Sequence, residues 1–148
     1  MFEDDMFSKT LSLVKKWEPK KKYSRETQYR DDLKNFLRGR LRKTNSFLSR
    51  GKKVKIVSEA SRALADIGIS REVGIELKRN LRGQSDVDRC VGQAVRYLKD
   101  YRRGIIVVLV GETKRDKFEE LMDSVKYISR RGGLLQGLEQ RIWIEDKG

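Results

Sequence analysis

The sequence predicts an α/β domain in which a central mixed β-sheet is flanked by helices, in the order helix, three strands, helix, strand, helix, strand. Three observations predict it. Strand-like alternation recurs between residues 54 and 78, in VKIVSEA, LADIGIS and VGIELK. GIIVVLVG (104–111) is an unbroken, β-branched run of the kind a central strand carries when both its faces are covered. Stripes of helical period bracket these strands, over 24–42, 84–101 and 114–129.

Taken in order, residues 1–22 form an accessory segment. Phe7, Leu11, Val14 and Trp17 make one stripe of a short helix, which Pro19 and the run KWEPKKK end. This segment is read either as a helix packed on the domain with a solvated linker, or as a basic arm that touches a nucleic acid backbone. The main domain spans 23–148. Ser24 is placed to cap a helix running to about Arg42, with Tyr29, Leu33, Phe36, Leu37 and Leu41 as its apolar stripe. KTNSFLSRG (43–51) reads as a loop.

The second helix, QSDVDRCVGQAVRYLKDY (84–101), should turn Val87, Cys90, Val91, Ala94, Val95 and Leu98 to the core. The third, from Lys114 to Ser129, does so with Phe118, Leu121, Met122, Val125 and Ile128, and RRGG (130–133) should stop it. RIWIE (141–145) closes the domain as a strand.

Composition narrows the function. The chain has 148 residues, 37% apolar and 39% charged, with 35 Lys and Arg against 22 Asp and Glu, a formal charge of +13. That imbalance points to a polyanionic partner, nucleic acid first. No apolar run approaches the length of a membrane span, and MFEDDMF carries acids where a secretory leader needs a basic stretch, so no membrane partner is expected. There is no histidine, which excludes Ser-His-Asp and Cys-His catalysis and histidine-containing zinc sites. The single thiol, Cys90, can form neither a zinc site nor an internal disulfide, so a reducing, cytoplasmic setting is expected. No GxxxxGK[ST] is present. Any catalysis must rest on carboxylates, lysine, hydroxyls and a hard metal ion.

One hairpin offers such a site. The pattern acidic-x-Lys begins at Glu18, Asp32, Glu76, Glu112 and Glu145, and in so charged a chain the pattern alone carries nothing. Only Glu76 and Lys78 fall well inside an expected strand, where alternation puts both on one face. If Ser70, Arg71 and Glu72 form the connection, Ile69 pairs with Val73, Ile67 with Ile75 and Ala65 with Leu77, apolar against apolar. The other face then pairs Gly68 with Gly74 and Asp66 with Glu76. Two opposed carboxylates repel unless a cation lies between them. Mg²⁺, with Mn²⁺ as a substitute, suits such hard oxygen ligands, and a main-chain carbonyl near Leu77 is a further candidate. Gly68 and Gly74 should leave the adjoining surface open to a phosphate, and Lys78 should stabilise charge building on it. The plainer reading of Glu76 and Lys78 is a solvent-facing ion pair.

This order of elements, with Asp66 followed by GIELK, resembles the PD-(D/E)xK nuclease superfamily, whose fold is restriction-endonuclease-like. Glu26 matches the acidic residue on that family's first helix; by itself it reads as favourable charge at a helix N-terminus. Gln93 and Tyr97, in QAVRY, are similar to the QxxxY motif of RecB-type and Cas4-type members. Ala65 stands where many members have proline, and no cysteine cluster suggests the iron–sulfur site of Cas4-like members. The resemblance implies Mg²⁺-dependent hydrolysis of phosphodiester bonds, DNA before RNA, often by homodimers.

The expected roles follow. Asp66 and Glu76 hold metal, Lys78 assists the attacking water, and Glu26 supports a second metal or the outer shell. Gln93 and Tyr97, one turn apart on the rim of the helix stripe, position substrate. Arg25, Arg30, Arg82, Arg89 and Arg96 neutralise phosphates. The alternatives are a protein that binds nucleic acid on this scaffold without cutting it, and an interaction protein whose basic face serves another partner.

Overall fold

The computed structural model describes residues 5–45, 54–59, 64–136 and 140–148, without the side chains of 42–45 and 127–136. Strands β1 (Ile56–Ser58), β2 (Ile67–Ile69) and β3 (Val73–Leu81) form an antiparallel meander. β4 (Gly104–Thr113) and β5 (Arg141–Asp146) extend it in parallel, completing a five-stranded mixed sheet in the order β1-β2-β3-β4-β5. The helices are α1 (Met6–Lys16), α2 (Glu26–Asn45), α3 (Gln84–Leu98) and α4 (Arg115–Gln136). Each parallel step uses a helix as its crossover, α3 between β3 and β4 and α4 between β4 and β5. Among the described residues, no helix is long and apolar enough to cross a membrane.

Alternation along β4 divides the core. Ile106, Val108 and Val110 face α1 and α2, whereas Ile105, Val107 and Leu109 face α3 and α4. The first layer holds Phe7, Val14 and Trp17 of the N-terminal segment with Tyr29, Leu33, Leu37 and Leu41 of α2, so α1 is built into the same core as the sheet. Trp17 is anchored further by its indole N–H, which donates to the buried carboxylate of Asp32 on α2 at 3.1 Å. Gly104 opens β4 at φ +128, and a Cβ there would lie 1.9 Å from the carbonyl oxygen of Arg141 on β5, so no other residue fits.

The hairpin register is the one the apolar pattern demands: Ile69 pairs with Val73, Gly68 with Gly74 and Ile67 with Ile75. Its turn contains no glycine, although Ser70 and Arg71 both have positive φ, 49 and 58. Tertiary contacts hold it in place: Arg102 N donates to Arg71 O at 3.0 Å and Arg103 N to Glu72 O at 2.7 Å.

Several expectations are corrected. α2 begins at Glu26, and Gln28 rather than Ser24 does the capping: its Oε1 accepts from Arg25 N at 3.1 Å. α2 runs on to Asn45, into the expected loop, the rest of which lies outside the described residues. β1 is shorter than 54–60. Ala65 does not face Leu77, because the chain enters the ladder only at Ile67 and Ala65 joins the opposite core layer. α4 continues through RRGG to Gln136; glycine costs a helix interior about 1 kcal/mol but, unlike proline, keeps its N–H. Val95 and Met122 are exposed. On α3 the stripe Val87, Cys90, Ala94, Leu98 is centred so that Val95 lies roughly 95° from its middle, and Tyr97, roughly 65° away on the other flank, is buried instead.

Candidate active site

β3 outruns β2, and that mismatch makes the site. The β2–β3 ladder stops at Ile67 and Ile75, while β3 continues to Leu81, paired only with β4. Backbone N–H groups on its free edge need other acceptors. Leu77 N donates to Asp66 Oδ2 at 2.8 Å, and Arg79 N donates to Glu26 Oε2 at 2.8 Å. Asp66 stands just before β2, and its own N–H donates to Glu76 Oε1 at 3.3 Å. The structure therefore brings together Glu26, Asp66 and Glu76 from α2, the approach to β2, and β3.

Glu76 and Lys78 are 6% and 8% exposed. The plainer reading, a solvent-facing ion pair, does not hold: both side chains are buried. They point to the α3 side, across from Val107 and Leu109 of β4. Burial pushes Glu76 up to about 8, and the charges of Asp66 and Glu26 add to the shift against the opposing Asp66 N–H and Lys78. Burial also raises Asp66, reinforced by Glu26 and opposed by the Leu77 N–H, Arg30 and Lys78. Lys78 makes no hydrogen bond or ion pair within 4 Å among the described residues. It is a sequestered ammonium standing beside two carboxylates that are costly to ionise together.

That donor set fits a hard divalent cation. Asp66 and Glu76 bring two carboxylates near enough for the charge of Asp66 to raise Glu76, and the charge of a bound ion would offset the penalty both now carry. Leu77 turns its N–H to this edge, and the carbonyl of a strand residue leaves on the same side as its N–H, so Leu77 O is the natural third protein ligand. Among the described residues no three His, Cys, Asp or Glu side chains cluster closely enough to hold an ion on their own. Such a site would leave several positions to water and substrate, as Mg²⁺ prefers.

The other expected residues divide. Tyr97 is in the core, 6% exposed, not on a rim. Its bulk fills the α3 flank, where Arg96 stacks its guanidinium 5.1 Å from the ring centre. Gln93 is half-buried and lies on the same flank as Cys90 and Tyr97, but it makes no side-chain hydrogen bond among the described residues. Arg30 is close enough for its charge to lower Asp66, and it also pairs with Asp31 at 3.1 Å. Arg82 is paired with Glu112 at 2.8 Å. Arg25 and Arg89 are exposed. Cys90 is buried against this site, and burial pushes its thiol up to about 12, so it is not a nucleophile.

The surface over Gly68 and Gly74 is not open. A Cβ on Gly68 would lie 1.7 Å from Glu59 Oε2, and one on Gly74 would lie 2.6 Å from the Tyr101 ring. Tyr101 OH donates to Glu59 Oε2 at 2.6 Å, and both residues are buried. The glycines make room for this pair rather than for a phosphate. Sequence reasoning missed Glu59, although two facing glycines were a signal that something large fills the gap.

Compared with protein-family models, with curated proteins and with solved structures, the chain matches none.

Proposed function

We propose that the protein is a Mg²⁺-dependent nuclease of restriction-endonuclease-like, PD-(D/E)xK type, hydrolysing phosphodiester bonds in DNA in preference to RNA. The observation that carries this reading is the hydrogen bond that ties Asp66, just before β2, to the buried Glu76 of β3, with buried Lys78 on the same face of β3 and no ion partner within 4 Å among the described residues. A fold selected for stability alone would replace such a trio with apolar residues. Asp66, Glu76 and the Leu77 carbonyl would hold the ion. When bound, Mg²⁺ supplies a Lewis acid that polarises the phosphate and acidifies its water.

The chain's own residues do the rest. The Lys78 ammonium, kept from water, is placed to stabilise negative charge gathering on the phosphoryl oxygens. Glu26 holds the free edge of β3 through Arg79 N, and its charge biases both metal-binding carboxylates. Tyr97 pins α3 against the sheet beside Lys78, and Gln93, on the same flank, is left to meet substrate. Arg30 adds a cation at the mouth of the site, and the net charge of +13 draws in the polyanion.

One observation favours a second reading. Asp66 and Glu76 each already accept a backbone N–H, so they could serve to close the edge of β3 in a protein that binds nucleic acid without cutting it. A single assay separates the two: single-stranded, duplex and branched DNA incubated with Mg²⁺ or EDTA, beside Glu76→Ala and Lys78→Ala. Cutting by the wild type in Mg²⁺, with both variants binding but not cutting, is the expected result. Binding without cutting by all three proteins would overturn the nuclease reading, and equal cutting by all three would place the activity elsewhere.

A further inference from the structure

On the other face of β3, one residue beyond Lys78, a cleft of about 510 Å³ opens. Lys21, Lys22, Tyr23 and Tyr29 line one wall and Arg79 the other, with Lys147 and Gly148, just past β5, also lining it. This volume suits a nucleotide-sized ligand. The aromatic wall is rigid. Tyr23 and Tyr29 meet edge to face at 5.0 Å, Tyr23 OH donates to Asp32 Oδ2 at 2.8 Å, and Tyr29 OH accepts from Tyr23 N at 3.1 Å. Its cations are available. Lys21 Nζ lies over the Tyr23 ring, 5.7 Å from its centre, Lys22 is exposed, and among the described residues the Arg79 side chain donates only through Nε, to Tyr23 O at 3.3 Å. The acid on its rim, Glu112, is neutralised by Arg82. A fixed aromatic face beside Lys21, Lys22 and Arg79, which have no ion pair among the described residues, is the arrangement that holds an unpaired base and its phosphates.

We propose that this cleft is a subsite for an unpaired nucleotide of the strand bound at the Asp66–Glu76 edge, with Tyr23 against the base and Arg79, Lys21 and Lys22 against the flanking phosphates. The two sites share Arg79: its backbone N–H is held by Glu26 at the carboxylate edge, and its side chain lines the cleft. The preferred substrate therefore has a single-stranded portion beside the scissile bond, such as a frayed end, a flap or a branch. The proposal rests on the nuclease reading for its choice of nucleic acid over other polyanions.

The test is binding of fluorescent oligothymidylate, and of a blunt duplex with the same number of phosphates, in EDTA by anisotropy. The full chain is compared with Tyr23→Ala, Tyr23→Phe and Lys21→Ala/Lys22→Ala, and cutting by the wild type in Mg²⁺ is followed in parallel. Tyr23→Ala should weaken single-strand binding by a few-fold to about a hundredfold, and Tyr23→Phe should retain it. The double lysine variant, which changes only solvent-facing side chains, should lower the salt slope of single-strand binding by roughly 1 to 1.5 units. Duplex binding should be unaffected by either.

Unchanged single-strand affinity in both Tyr23→Ala and the lysine variant overturns the subsite, and so do equal losses on duplex and single strand. If the wild type cuts DNA while these variants bind like it, the subsite alone is wrong. If the expected losses are seen and no protein cuts, the nuclease reading alone is wrong.

Discussion

Asp66 and Glu76 are joined by their backbone as well as by their charges: the N–H of Asp66 donates to Glu76 Oε1 at 3.3 Å, while Asp66 Oδ2 accepts from the residue after Glu76, Leu77, at 2.8 Å. The two carboxylates are thereby held together, although burial raises both, with the charge of Glu26 adding at each and that of Asp66 at Glu76.

This arrangement predicts an inverted pH dependence in the metal-free protein. Glu76 titrates from 4.5 in the unfolded chain to about 8 when folded, so between those values the native state holds the extra proton. Its contribution to stability is complete below pH 4.5 and is lost as pH rises to 8, on the order of a few kcal/mol. Asp66 acts in the same direction. The difference in melting temperature between wild type and Glu76→Gln should therefore widen from pH 5 to pH 8 in EDTA, with the variant the more stable. Saturating Mg²⁺ should stabilise wild type more at pH 8 than at pH 5 and leave Glu76→Gln nearly unchanged. A constant difference across the pH range would show that Glu76 ionises freely.

The charge of Lys78 favours ionisation of both carboxylates, against their burial, and Lys78 is placed to meet phosphoryl charge. Lys78→Met keeps the volume and removes the cation. Cutting should fall about 10²- to 10³-fold, with DNA binding changed only slightly. Residual activity should have its acidic limb shifted to higher pH, since Glu76 then ionises later. An unshifted pH–rate profile would separate Lys78 from the carboxylates.

The space under Gly74 is occupied by a buried aromatic ring. A Cβ there meets Tyr101 Cε2 at 2.6 Å, Cδ2 at 2.7 Å and Ile105 Cδ1 at 2.9 Å, all on side chains buried in the core. Gly74→Ala should destabilise by about 1–3 kcal/mol, read as a lower urea midpoint with unchanged slope. A neutral result would mean that Tyr101 moves aside easily.

Asp32 ties the N-terminal segment to the sheet layer. Burial would raise it, but hydrogen bonds from Lys20 N, Tyr23 OH and the Trp17 indole outweigh that and lower it. Because the shift is downward, its stabilisation is present above the ordinary aspartate range and disappears as pH falls through the lowered value. Asp32→Asn should cost about 2–4 kcal/mol at pH 7, with the gap to wild type closing in acid. Equal losses at both pH values would point to packing rather than charge.

Much of this was legible in the residues themselves. The hairpin register came from apolar periodicity, because a slip of one residue would have buried Asp66 or Glu76 among Ile67, Ile69, Val73 and Ile75. β4 declared itself by length and β-branching, and the placing of Glu76 and Lys78 on one face followed from alternation. These are local properties, carried by neighbours in the chain.

The tertiary structure alone decided the rest. Where β2 stops determines that Leu77 N and Arg79 N lack a strand partner and must take carboxylates, and one of those, Glu26, lies 53 positions away in sequence. That Tyr101 and Glu59 would fill the hollow over Gly68 and Gly74, or that Tyr97 would enter the core in place of Val95, depended on which bulky groups distant segments deliver to a shared volume. Periodicity states which face a side chain is on. Only close packing of remote elements settles what it meets there, whether it is dry, and hence how costly its charge becomes.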